Sequence, residues 1–185
     1  IAMFTYNSLI VVRLIGGTTF EAGLLAAVGN FLFAIAGSQA GRLTARVGSR
    51  FYPLLVGNIA LGGGLAAVFY SRTVPVAILG VAVAGTGFGL TLTLYRSMIT
   101  NLAPESLRGG VVSVGASLAR IAATVTPIVM GGVLALLEPS VGFEPAIRMA
   151  GLGAAVVGGG GGIVCLLVAH TAPAVRIGGG TSTDQ

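Results

Sequence analysis

The sequence predicts an all-α membrane protein of six transmembrane helices. Three observations carry this. First, 55% of the 185 residues are hydrophobic and 8% are charged, against about 25% charged in an average soluble domain. With a mean hydropathy of +0.98, a water-soluble fold could not cover itself with so few charges. Second, six apolar runs follow one another, separated by short polar connections. Third, the chain has ten arginines and no lysine, and most of the arginines stand in or beside those connections. The runs must be helices, because only helices and closed barrels satisfy every backbone group in lipid. They lack the apolar–polar alternation of barrel strands.

The elements follow in order. Ile1–Ile15 is a first span, shorter than the roughly 20 residues a bilayer requires. Its start is therefore expected to lie before Ile1, and the chain to be a piece of something longer. Gly16–Glu21 reads as a tight polar turn and Ala22–Ala40 as the second span. Gly41–Arg50, read GRLTARVGSR, is a basic loop holding Arg42, Arg46 and Arg50. Phe51–Tyr70, the third span, reaches about 30 Å as a helix. After the turn Ser71–Pro75 comes the fourth span, Val76–Ile99, with Gly80, Gly85, Gly87 and Gly89 inside it.

Thr100–Gly110 is a polar connection in which Pro104 suits the first turn of a short helix, with Glu105 and Arg108 three apart on it. Val111–Leu136 is the fifth span, interrupted by Arg120 and Pro127; Leu137–Pro145 is a turn with Glu138 and Glu144; Ala146–Ala169 is the sixth span. The six-span unit covers 1–170. Residues 171–185 form a polar tail, rich in Gly and Thr and expected to be mobile.

Arginine counting sets the orientation. Arg42, Arg46, Arg50, Arg108 and Arg176 fall after spans two and four and in the tail. The opposite side has Arg13, Arg72 and Arg148, together with Glu21, Glu138 and Glu144. The first set is expected to be cytoplasmic, as is the tail, in a multi-pass protein of the cell membrane. Small residues are dense in the spans: Gly62–Gly64, Gly80 with Ala84, Gly85 with Gly89, Gly131-Gly132 and Gly158–Gly162. They permit close helix approach. The other reading of the fourth-span glycines is helix flexing, and that of Gly158–Gly162 is compositional drift.

Composition also excludes function classes. A net charge of +5 could suggest nucleic acid. The arginines form no basic face and aromatics are few, so nucleic acid is not an expected partner. There is no metal-ligand cluster, no Gly-rich loop ending in Lys and no Ser/His/acid set, so neither enzyme activity nor a cofactor is expected. Cys165 is the only cysteine and permits no intrachain disulfide.

Gly41–Arg50 resembles the loop signature of the major facilitator superfamily, G-x-x-x-D-R-x-G-R-R. Gly41, Arg46, Gly48 and Arg50 match it. Ala45 stands where the signature has an acid and Ser49 where it has a base, as in the second copy of the motif, between spans eight and nine. Asn101–Gly110 is similar to the loop between spans ten and eleven, often P-E-x-x-R-G. Thr126-Pro127 followed by Gly131-Gly132 resembles the G-P-x-x-G-G run of the fifth and eleventh spans. The resemblance covers about Ile1 to Ala169. It implies the C-terminal half of a twelve-span secondary transporter, built as two three-helix inverted repeats, with substrate bound between the halves. The missing N-terminal six-span half, a small-molecule substrate and the lipid bilayer are then the expected partners. Spans one, two, four and five would line the cavity, and three and six would face lipid. Family base rates favour efflux. The alternative is a non-transporting truncated half or a partner-binding membrane module.

Arg120 is the foremost candidate for substrate binding. It lies about 14 Å into the fifth span, where a charge costs at least about 2.5–3.5 kcal/mol on insertion scales. It is expected to face the protein interior or a wet cavity. Two roles are open: binding an anionic group of the substrate or a carboxylate of the other half, or bonding carbonyls and polar side chains structurally. No Asp or Glu lies inside any span, so a proton-carrying acid would have to come from the other half. Asn7, Asn30 and Arg96 are further substrate-binding candidates, with interhelical bonding (Asn7, Asn30) or interfacial anchoring (Arg96) as their other readings. Asn58 and Gln39 are hydrogen-bond candidates between helices. Gly41, Arg46, Gly48 and Arg50 form a candidate cytoplasmic gate loop, weakened by Ala45, and Glu105 and Arg108 belong to the second cytoplasmic loop. The other reading of these arginines is topology setting alone.

Overall fold

A computed structural model describes residues 9–102 and 104–171. Among the described residues the chain is all helical, with no strand. A π-helical turn, Ile10–Leu14, is followed by α1 (Thr19–Val47), α2 (Phe51–Tyr70), α3 (Val74–Leu102), a 3-10 turn at Glu105–Leu107, α4 (Arg108–Val141), α5 (Phe143–Ala155) and α6 (Gly161–Thr171). A π turn, Val156–Gly160, joins α5 and α6 into one continuous rod. Five helical stretches are long and apolar enough to cross a membrane: Thr19–Val47, Phe51–Tyr70, Val74–Asn101, Glu105–Val141 and Phe143–Val164. They correspond to the second through sixth expected spans.

The helices overrun several of the expected connections. The basic loop is a correction: Gly41–Val47 is helix, so Arg42 and Arg46 stand on the last turns of α1, and only Gly48 to Arg50 turn the chain. Nothing in Leu43-Thr44-Ala45 breaks a helix, and Gly48 supplies the stop. Pro104 stands as the N-cap of the 3-10 turn, outside the helix proper. The expected turn at Leu137–Pro145 shrinks to Gly142, at φ +86°, with Pro139 inside α4. At the other boundary, Thr18 caps α1 in a reciprocal box with Glu21: Glu21 N donates to Thr18 Oγ1 at 3.2 Å and Thr18 N donates to Glu21 Oε2 at 2.7 Å. The expected turn at Gly16–Glu21 thus already contains the first helical turn.

Short connections force antiparallel neighbours. α3 lies between α1 and α2, and the contact is nearly backbone to backbone. A Cβ built on Gly85 would lie 2.5 Å from the Gly29 carbonyl oxygen of α1, and one on Gly87 would lie 2.5 Å from Leu61 N of α2. Gly89 meets the Phe33 carbonyl and Gly64 meets Ala84 N in the same way. The fourth-span glycines therefore serve close packing. Gly63, Gly131 and Gly132 instead face open space. Two apolar clusters result. One, toward the end where α2 finishes, gathers Leu25, Val68, Phe69, Val81, Met130 and Ile147; the other, toward the basic end, gathers Ala40, Leu54, Leu90, Leu94 and Leu166. The third span, α2, is buried along one face and leaves Tyr52, Val56 and Ile59 exposed on another.

Candidate functional site

The basic end is built by a helix stop and a reversal. Gly48 sits at φ +68°, its N–H donating to the Thr44 carbonyl at 3.0 Å. Glycine takes this left-handed geometry without steric cost. The reversal brings half-buried Arg50 beneath the C-terminal end of α3. With the Asn101 amide oriented by its neighbours, its oxygen accepts from both Nη1 and Nη2 of Arg50 at 3.0 Å. Arg42 Nη1 donates to Gln39 Oε1 at 3.2 Å within α1, so Gln39 bonds inside its own helix. Arg46 is exposed in the last turn of α1, where the helix end attracts cations. Glu105 and Arg108 pair at 3.7 Å with both side chains exposed, a geometry that contributes little stability. The gate-loop and second-loop candidates thus share one end of the bundle, and Arg50–Asn101 ties the two connections together.

The substrate-binding candidates are not brought together. Asn7 lies outside the described residues. Asn30 is exposed on α1 and donates from Nδ2 to the Ala26 carbonyl of its own helix at 2.9 Å. Arg96 is exposed toward the end of α3. Arg120 is exposed on α4 and is not buried among the described helices. The physical reason is that α4 is anchored near its far end, where Met130 and Leu134 are buried, while residues 112–122 are exposed on every side. Among the described residues no hydrogen bond or ion pair joins Asn30, Arg96 and Arg120, and no group of three or more His, Cys, Asp or Glu is placed to hold a metal ion.

Two polar clusters join residues whose partners the sequence did not name. Asn58 is 1% exposed and donates to the Leu54 carbonyl at 2.8 Å and to Tyr95 Oη at 3.5 Å. Tyr95 in turn donates to the Gly162 carbonyl at 3.4 Å. Asn58 was expected to bond between helices and does so: it reaches Tyr95 of α3 across 37 positions, and Tyr95 reaches Gly162 across 67, separations too long for any local pattern to name the partners. At the opposite end Tyr70, Arg72, Glu144 and Arg148 converge. Their only sequence signal was interfacial charge.

The family model described as Major Facilitator Superfamily matches residues 1–183. This chain belongs to the Major Facilitator Superfamily. No curated protein and no solved structure matches it. For a Major Facilitator Superfamily chain with five described helices of spanning length, the coarse assignment is a multi-pass membrane protein, and the family points to membrane transport. Members of the superfamily are generally not enzymes.

Proposed function

We propose that this chain is the C-terminal half of a secondary active transporter that moves a small molecule across the cell membrane by alternating access. The six spans form two inverted three-helix repeats, the basic end and the tail face the cytoplasm, and efflux is the direction. The single observation that carries the reading is the family match over residues 1–183. The exposed stretch of α4 supports it. Arg120 stands about 18 Å beyond the start of α4, and a cation at that depth must face protein or water, not lipid. The other half of the transporter is the natural cover for that face, and a substrate anion or a carboxylate of that half is the partner of Arg120. Arg50, Arg46 and Gly48 form the gate, stabilising one state of the cycle through the bond to Asn101.

The test has two steps. Six further in-frame spans are expected in the DNA upstream of the Ile1 codon; a stop followed by a start codon near Ile1 would favour the non-transporting module instead. In the full-length parent, reconstituted in vesicles, Arg120→Ala is expected to abolish flux of the transported compound while leaving expression intact. Unchanged flux would remove Arg120 from the pathway.

A further inference from the structure

The bundle end opposite the basic one holds a cleft of about 320 Å³ lined by Tyr70, Arg72, Glu144, Pro145, Arg148 and Met149. Arg148 is the centre of it. Its side chain is 16% exposed, its Nη2 lies 2.8 Å from Glu144 Oε1, and its guanidinium carbon lies 5.9 Å from the centre of the Tyr70 ring. Its Nε is buried and has no acceptor among the described residues. A buried guanidinium N–H without a partner is costly, so Arg148 is short of acceptors at this cleft. Arg72 is exposed at the same cleft. The lining thus holds two arginines and one carboxylate, a net charge of +1.

The level of the cleft identifies the anion. α2 contains 20 residues and is therefore about 30 Å long, the thickness of a hydrocarbon core. Phe51 and Tyr70, at its two ends, then sit at the two headgroup levels. The cleft is also half apolar: Tyr70 and Met149 are 49% and 54% exposed beside the arginines. A planar guanidinium fork matches phosphate oxygens, and the apolar rim matches the glycerol and upper acyl carbons of a lipid. We propose that this cleft binds the phosphate of a glycerophospholipid headgroup, with Arg148 and Arg72 as donors and Glu144 as the competitor for Arg148.

The full chain, purified in detergent, is titrated with palmitoyl-oleoyl phosphatidylglycerol, and bound lipid is counted by native mass spectrometry. The wild type is expected to retain one lipid preferentially. Arg72→Gln and Arg148→Gln should each weaken retention by about tenfold, the size of one lost charge-assisted bond. Glu144→Gln, which frees Arg148, should strengthen it. Arg72 and Glu144 are exposed, so those two variants carry the test even if Arg148→Gln fails to fold. Retention equal to wild type in both Arg72→Gln and Glu144→Gln overturns the proposal. So does a parallel titration in which inorganic phosphate shows the same dependence on these variants and the lipid shows none. The outcome is independent of whether the chain transports anything.

Discussion

A Cβ added to Gly85 of α3 would lie 2.5 Å from the carbonyl oxygen of Gly29 in α1. The two helices therefore touch through backbone atoms, and the contact tolerates no side chain. In lipid, where burying apolar surface gives helices little net attraction, such close packing is a main source of association. Gly85→Ala should destabilise the bundle by about 1–3 kcal/mol, the usual cost of overpacking. Gly63→Ala, with no atom within 4 Å of the added carbon, should leave stability unchanged. Melting of the detergent-purified protein measures both. Equal melting of the two variants would refute backbone contact at Gly85.

The Arg50–Asn101 pair should show coupling. Both guanidinium nitrogens meet one amide oxygen at 3.0 Å, and hydrogen bonds to charged groups contribute about 1.5–3 kcal/mol. A double-mutant cycle with Arg50→Ala and Asn101→Ala is expected to give at least about 0.5 kcal/mol of interaction energy. Arg50→Lys should recover little of it, since an ammonium cannot reproduce the fork. Additive single and double variants would show that the pair carries no stability.

Gly162 sits against the Asn58 side chain, so that a Cβ there would collide with the Asn58 amide. Gly162→Ala should therefore displace Asn58 and disturb the Tyr95 bond, lowering thermal stability. Gly161→Ala, which meets nothing within 4 Å, is the matched control. Asn58→Leu is expected to be milder than Asn58→Asp, because it removes a buried polar group where the acid would bury a charge. The comparison is read from melting midpoints, and the reverse order would argue against burial of this site.

The capping box at the start of α1 gives a fourth expectation. Thr18→Ala removes the acceptor for Glu21 N and should cost about 1 kcal/mol. Thr18→Ser should restore most of it. Hydrogen exchange of the first-turn amides of α1 checks this locally; exchange unaltered in Thr18→Ala would mean that the cap contributes nothing.

Much of the fold was legible because membrane helices announce themselves by length and apolarity. The run Phe51–Tyr70 has the same bounds in sequence and structure. Boundaries failed where no residue breaks a helix: Leu43 to Val47 carry polarity but no stop, so polarity was mistaken for a loop. The candidate site was less legible. Arg120 could be recognised as exceptional from its depth alone. Its surroundings could not be, because they depend on which elements lie against α4, and among the described residues none covers 112–122.

The sequence by itself determined the class of the protein, the order of its spans and the segregation of its charges to two ends, since these follow from transfer free energies summed along the chain. Only the tertiary structure decided which glycines are packing surfaces, that Arg50 reaches Asn101, and that Arg148, with a buried N–H, lines one cleft with Tyr70 and Arg72. Those relations join residues far apart in the chain. They are set by the rotation and spacing of whole helices, which hydropathy along the chain leaves open.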